Sequence, residues 1–286
     1  MLVLLDQPSQ RKQLAPFITG TYGHVVMGGV IAGLQRGRVY ADQLHAPKSA
    51  LIWAENEMFY LIGRSDNEQF NSLVREVLVQ ELLPEALDAG EDMLNLEVYP
   101  EPGSDWSPVL DHMFNGRLRE GLRVPFQFNL AKYEQWMERS SSSLFVPPGY
   151  KLQIIDRAVM LEDDKSCIIE QEILKFWHSV EDFFRYGAGT CTVYEGQVVG
   201  TCISVFVSDI HHETGINTYD SIHRGKGLAT AMASAYVQSV LERNCVPHWT
   251  TEEFRHDSIA IAGKLGFDQG RAYPVYYMPI QELLNY

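Results

Sequence analysis

The chain has 286 residues, 45% hydrophobic and 21% charged, which excludes disordered, collagen-like and disulfide-stapled classes and leaves room for one large or two modest domains. With 37 acidic and 23 basic residues the net charge is −14, spread over both halves, and no basic stripe with interleaved aromatics occurs. A nucleic-acid backbone is therefore an unfavourable partner, whereas a cationic one such as an amine suits the acidic field.

Met1 to Leu5 is apolar but is followed by Asp6, Gln7, Arg11 and Lys12, which is not the order of a signal peptide. Val25 to Leu34, interrupted by Gly28, Gly29 and Gly33, is too short to span a bilayer, so a cytoplasmic protein with no membrane partner is expected. A strand at Arg38 to Ala41 precedes two β-rich runs, Ala50 to Trp53 and Met58 to Ile62, which flank Glu55-Asn56-Glu57 and predict a hairpin. Phe70, Leu73, Val74, Val77, Leu78 and Leu82 recur at three and four, predicting a helix that Pro84 stops. Leu94 to Tyr99, Trp106 to Phe114 and Val124 to Leu130 suggest strand, helix, strand. Ser140 to Gly149 runs through four serines and ends in Pro147-Pro148-Gly149; it reads as a linker and sets the domains at 1–143 and 144–286.

In the second half Tyr150 to Asp156 predicts a strand and Cys167 to Tyr186 a helical stretch closed by Gly187-Ala188-Gly189. Thr190 to Tyr194 and Val198 to Val207 form a second hairpin. Ile216 to Tyr219 is a short strand entering the loop Asp220 to Lys226, and Gly227 to Arg243 is a long amphipathic helix. Pro247 to Thr251 is a strand, Ser258 to Leu265 a helix, and Phe267 to Met278 a final strand pair. Helices interleaved with a mostly antiparallel sheet define an α/β (α+β) class. Cys167, Cys191, Cys202 and Cys245 match no zinc spacing and read as free thiols of a reducing compartment, and His211, His212, His248 and His256 have no metal-pair spacing, so no metal is expected.

The most informative segment is His223-Arg224-Gly225-Lys226-Gly227-Leu228-Ala229-Thr230, between a predicted strand and a predicted helix. Its two glycines allow a tight turn and close approach of a ligand, and the first N–H groups of the helix lack internal partners. With the helix dipole and the cations Arg224 and Lys226 they form a phosphate cradle. A P-loop is excluded because Asp220 stands where its first glycine belongs, and a dinucleotide fingerprint because Thr230 stands where its third glycine belongs.

This segment resembles the acyl-CoA pyrophosphate loop of the GCN5-related N-acetyltransferase superfamily, with Ile222 in place of the usual Gln or Arg. Ser258 to Phe267, ending Lys264-Leu265-Gly266-Phe267, is similar to that superfamily's last helix, and Glu213 to Thr218 to the strand along the pantetheine arm. With Pro247-His248-Trp249 the chain looks closer still to the zwittermicin A resistance acetyltransferases. The resemblance covers about residues 150 to 280 and reaches more faintly into Gly37 to Asp42 and Pro47 to Leu51. It implies a catalytic domain preceded by a smaller α/β domain that is a degenerate copy of the same fold.

The resemblance further implies acetyl-CoA as co-substrate, held by Asn217, Thr218, Arg224, Gly225, Lys226, Gly227, Leu228, Ala229, Thr230 and Ser258. Backbone N–H groups around Asn217 and Thr218 are the expected oxyanion donors, and Glu213 the expected base, which requires burial to raise its pKa. The superfamily's acidic tyrosine is replaced by Ala262, which leaves Tyr276 as the candidate acid, and its cofactor-contacting asparagine by Arg255. The aromatics Phe176, Trp177, Phe183, Phe184 and Tyr186 are expected mainly in the core, while Glu172, Glu181 and Asp182 are candidates to hold a cationic amine. The expected activity is direct acetyl transfer to a primary amine of a small molecule. A non-catalytic acyl-CoA-binding module and a protein or peptide N-acetyltransferase are the alternatives; the missing tyrosine favours the first, and an open groove beside residues 176–186 would favour the second.

Overall fold

The computed structural model describes residues 2–139, 146–163 and 167–285. In chain order the strands are β1 (Val3–Leu4), β2 (Gly37–Ala41), β3 (Ser49–Ala54), β4 (Met58–Gly63), β5 (Met93–Pro100), β6 (Arg119–Phe128), β7 (Tyr150–Ile154), β8 (Gly189–Tyr194), β9 (Gln197–Ser208), β10 (His211–Thr218), β11 (Val246–Glu252), β12 (Phe267–Gln269) and β13 (Tyr273–Pro279). They fall into two compact units: Met1–Leu122 with Tyr273–Tyr286 form unit 1, and Arg123–Ala272 form unit 2. The chain thus leaves unit 1 within β6 and returns to it at β13. The expected boundary between residues 143 and 144 lies outside the described residues.

In unit 1, β1 to β4 pair antiparallel in sequence, β4 pairs parallel with β5, and β13 closes antiparallel against β5. Every residue of β3 and β4 is buried. Side chains alternate between faces along a strand, so both faces of this hairpin are covered. The helix His24–Ala32 is apolar all round and buried from Val25 to Ile31, as a helix within a core must be, and ends at Gly33 in the left-handed conformation. A second helix, Glu68–Val77, is capped by Asn67, whose side chain accepts from Phe70 N. Its apolar face packs with Leu96, Trp106, Phe114 and Met278. Pro84 does not stop this helix. A π turn at Leu78–Leu82 shifts the hydrogen-bond frame, and Pro84 enters the first turn of the following helix, Leu83–Asp88, where no N–H partner is needed.

In unit 2 the sheet runs β6, β11, β10, β9, β8, β7, with β12 also on β6; the β10–β11 pair is parallel and the others antiparallel. The long helix Leu228–Glu242 buries Met232, Tyr236, Val237 and Val240 against Cys202, Trp249 and Phe267. The helical stretch expected from Cys167 to Tyr186 is two helices, Ile168–Phe176 and Val180–Tyr186. Trp177 is extended between them, with its Nε1 donating to Ser204 O at 2.8 Å, and Ser179 caps the second. The final strand pair is not a hairpin: β12 pairs Phe267 with Phe128, whereas β13 pairs Tyr276 with Leu96. No helix among the described residues is long and apolar enough to cross a membrane.

Candidate active site

The site forms where two parallel strands part. β10 and β11 are in register only at His211↔Val246, His212↔Pro247 and Glu213↔His248. Beyond that pair β10 continues against β9 to Thr218↔Gly200, while β11 pairs with β6 through Trp249↔Phe126 to Glu252↔Arg123. Thr214 Oγ1 donates to His248 O at 2.8 Å and ties the apex together. The register of β10 on β9 shifts at the same point: Glu213 faces Phe206 and Thr214 faces Ser204, so Val205 is the extra residue of a bulge. Gly215 exists for this bulge, because a Cβ there would lie 2.3 Å from Val205 Cγ1. Gly200 serves Asn217 in the same way, since its Cβ would meet Asn217 O at 2.7 Å and Met232 Cε at 2.9 Å.

The glycine loop follows directly. Asp220 caps a short 3-10 turn, Ser221–His223, and Arg224 Nε donates to Thr218 O at 3.2 Å, which holds the loop to the end of β10. Gly225 (φ 71°) and Gly227 (φ 80°) are left-handed, a conformation open to glycine, and nothing lies within 4 Å of where either would carry a Cβ. The helix Leu228–Glu242 starts at Gly227. Asn217, Thr218, Arg224, Leu228, Ala229 and Ser258 line one cleft of about 320 Å³, together with Arg255 and Asp257. The structure therefore gathers six of the ten residues expected to hold the cofactor. Gly225, Lys226, Gly227 and Thr230 adjoin the cleft in sequence without lining it, and Ile222 is exposed on the loop. The open backbone, the helix N-terminus and the cations Arg224 and Arg255 fit a pyrophosphate.

Glu213 is fully engaged. Its Oε2 pairs with His248 Nδ1, and its Oε1 accepts from Thr250 N at 3.1 Å and Thr250 Oγ1 at 2.9 Å. Arg123 Nη2 in turn donates to Thr250 Oγ1 at 3.0 Å. Burial alone would push the Glu213 carboxyl up, but His248, Arg123 and Thr250 overrule it and hold the pKa below the ordinary glutamate value. The upward shift that a glutamate base would need is not found. In the sequence His248 stands out only as a histidine without metal spacing; in the structure it is hydrogen-bonded to Glu213. It lies 35 positions from Glu213, and only the parallel register of β10 and β11 joins them.

Behind the apex runs a buried chain: Ser204 Oγ lies 2.9 Å from His212 Nδ1 and 3.1 Å from Tyr236 OH. Ala262 is fully buried in the unit 2 core. Tyr276 is built into unit 1, where it faces Leu96 across β13 and β5 and packs on the core, with burial and then Glu120 raising its pKa. The carboxylates considered for an amine are already committed. Glu172 pairs with Lys175 at 2.7 Å, Glu181 with Arg157 at 2.8 Å, and Asp182 accepts from Ser179 Oγ at 2.6 Å. Trp177 and Phe183 are buried core residues. All four cysteines are free, and among the described residues no group of three or more His, Cys, Asp or Glu could hold a metal.

A parallel strand pair that parts beside a glycine loop at a helix N-terminus is the layout of an acyl-CoA-dependent transferase. The GNAT acetyltransferase family matches residues 15–276, and the chain belongs to it. An uncharacterized N-acetyltransferase of Bacillus subtilis (strain 168), YdfB, is 25% identical over 243 residues, covering 84% of this chain and 85% of that protein. A GCN5-related N-acetyltransferase-like protein from Streptococcus suis 89/1591 superposes with a TM-score of 0.66 at 20% identity, over 94% of this chain and 98% of that one. A tandem GNAT protein from the clavulanic acid biosynthesis pathway gives a TM-score of 0.56 at 14% identity, over 98% and 99%. The protein is an acetyl-CoA-dependent N-acetyltransferase.

Proposed function

We propose that this chain transfers the acetyl group of acetyl-CoA directly to the primary amine of a small cationic molecule, in the wedge between β10 and β11. The parting of these strands just past Glu213 and His248, beside the loop Arg224-Gly225-Lys226-Gly227, carries this reading. In it the first N–H groups of the helix Leu228–Glu242, with Arg224, Lys226 and Arg255, take the pyrophosphate. Backbone N–H groups at Asn217 and Thr218, past the last registered pair, stabilise the oxyanion. The net charge of −14 favours encounter with a cation.

Calorimetric titration with acetyl-CoA, followed by thiol release with a panel of primary amines, tests the reading. Gly225→Asp places a carboxylate against the pyrophosphate and is expected to weaken acetyl-CoA binding at least tenfold, about 1.4 kcal/mol. Glu213→Gln is expected to leave binding intact and lower turnover. Undiminished affinity in the first variant would remove the loop from the reading. Binding without release from any amine would favour the non-catalytic module that the loss of a tyrosine at Ala262 suggests.

A further inference from the structure

The geometry points to His248, rather than Glu213, as the group that takes the acceptor's proton, with Glu213 as the positioning residue behind it. This rests on the transferase reading above and concerns only which side chain moves the proton. The two residues form the last registered pair before β10 and β11 part, so they stand at the apex of the wedge. Of the pair the imidazole is the one that reaches solvent: its side chain is 14% exposed against 4% for Glu213. Both oxygens of Glu213 are taken, one by His248 Nδ1 and the other by the two donors of Thr250. A carboxylate so held is a weak base, but an effective anchor. Opposite Nδ1 it fixes the neutral ring with its proton on Nδ1 and its lone pair on Nε2, and it stabilises the imidazolium that forms when Nε2 is protonated. Thr214 Oγ1 on the His248 carbonyl and Arg123 on Thr250 fix the remaining frame.

Glu213 and His211, both on β10, are the groups that act on the ring; Glu213 is in turn acted on by Arg123 from β6, which lies beside Glu252, and by Tyr236 from the helix. In the reaction Nε2 removes one proton from the acceptor's ammonium. The amine nitrogen then forms the C–N bond to the acetyl carbon as the C–S bond breaks, and its second proton leaves with sulfur as the CoA thiol. The imidazolium returns its proton to solvent, so the proton released per turnover is the one the ammonium gave up.

The test is a pH profile of thiol release from acetyl-CoA with ethanolamine, spermidine and glucosamine as amine probes, for the full chain and for His248→Asn and Glu213→Gln, with acetyl-CoA affinity measured alongside. His248→Asn is expected to bind acetyl-CoA as the parent does, to lose at least tenfold in turnover and to lose the acidic limb of the profile. Glu213→Gln is expected to keep that limb and to lower turnover less than His248→Asn does, because the base stays in place while its ring loses the partner that fixes it. A second measurement does not depend on turnover. In histidine-15N spectra the His248 ring should carry its proton on Nδ1, with a strongly deshielded resonance that Glu213→Gln abolishes. A ring protonated on Nε2 instead, or an acidic limb that survives in His248→Asn, overturns the assignment and leaves the pair a pin between strands. Failure of the parent to bind acetyl-CoA would instead sink the transferase reading itself.

Discussion

His212 and Glu213 are neighbours on β10, and both make the fold sensitive to acid. His212 is buried, and burial, then Arg243 and His211, push its pKa down to about 4 from 6.5. Between those values the unfolded chain binds a proton that the folded chain refuses, so stability falls as pH drops from 6.5 towards 4. His212→Asn, which keeps a polar atom near Ser204 Oγ, should flatten that window, sparing about 2 kcal/mol at pH 5 in urea unfolding. Glu213 acts in the neighbouring range. Its pKa is depressed, so its contribution is complete above the ordinary value of 4.5 and is lost as pH falls through the lower folded value. Glu213→Gln should therefore be less stable than the parent at pH 7, with the gap closing on acidification. Glu213 could be proposed from the sequence, because its strand and the glycine loop are contiguous. Its partner could not, since a lone histidine 35 residues away gives no sign of its register until the strands pair.

At the scale of elements, the wedge depends on one bulge. Val205 is squeezed out of register on β9 exactly where β10 leaves β11, and the missing Cβ of Gly215 makes room for it. Gly215→Ala should cost about 1–3 kcal/mol by overpacking and weaken acetyl-CoA binding, with Val205→Ala in the same chain recovering both. Recovery of stability without recovery of binding would separate the bulge from the wedge. Periodicity found most elements, because alternation and the three-to-four pattern report burial. It missed the interruptions. Trp177 leaves its helix for the Ser204 carbonyl, and Pro84 is accommodated by a preceding π turn; both are settled by tertiary partners that local pattern does not encode.

At the scale of the molecule, the two units share a strand order but differ at the decisive point. β4 and β5 of unit 1 stay paired over five residues, Phe59↔Leu96 to Gly63↔Pro100, where the corresponding strands of unit 2 part after three. The turn that follows β4 is Arg64-Ser65-Asp66-Asn67, without paired glycines, and Asn67 already caps the next helix. Among the described residues unit 1 thus shows no such parting and no paired glycines after it, and calorimetry is expected to give one acetyl-CoA per chain. Two would show that unit 1 binds by another route. The faint likeness of the first half to the second was readable in the sequence, and the glycines of the loop were the only signal there that pointed to the second half for the chemistry. The destination of the last strand was not readable at all, since β12 and β13 are separated by three residues and pair with different strands.

That last strand bears on how the protein is made. Met278, Ile280 and Leu283 complete the core of unit 1, yet they emerge from the ribosome after all of unit 2. Until they do, β5 waits with one edge uncovered, open to wrong pairing or to a chaperone. The half synthesised first is therefore the half that finishes folding last.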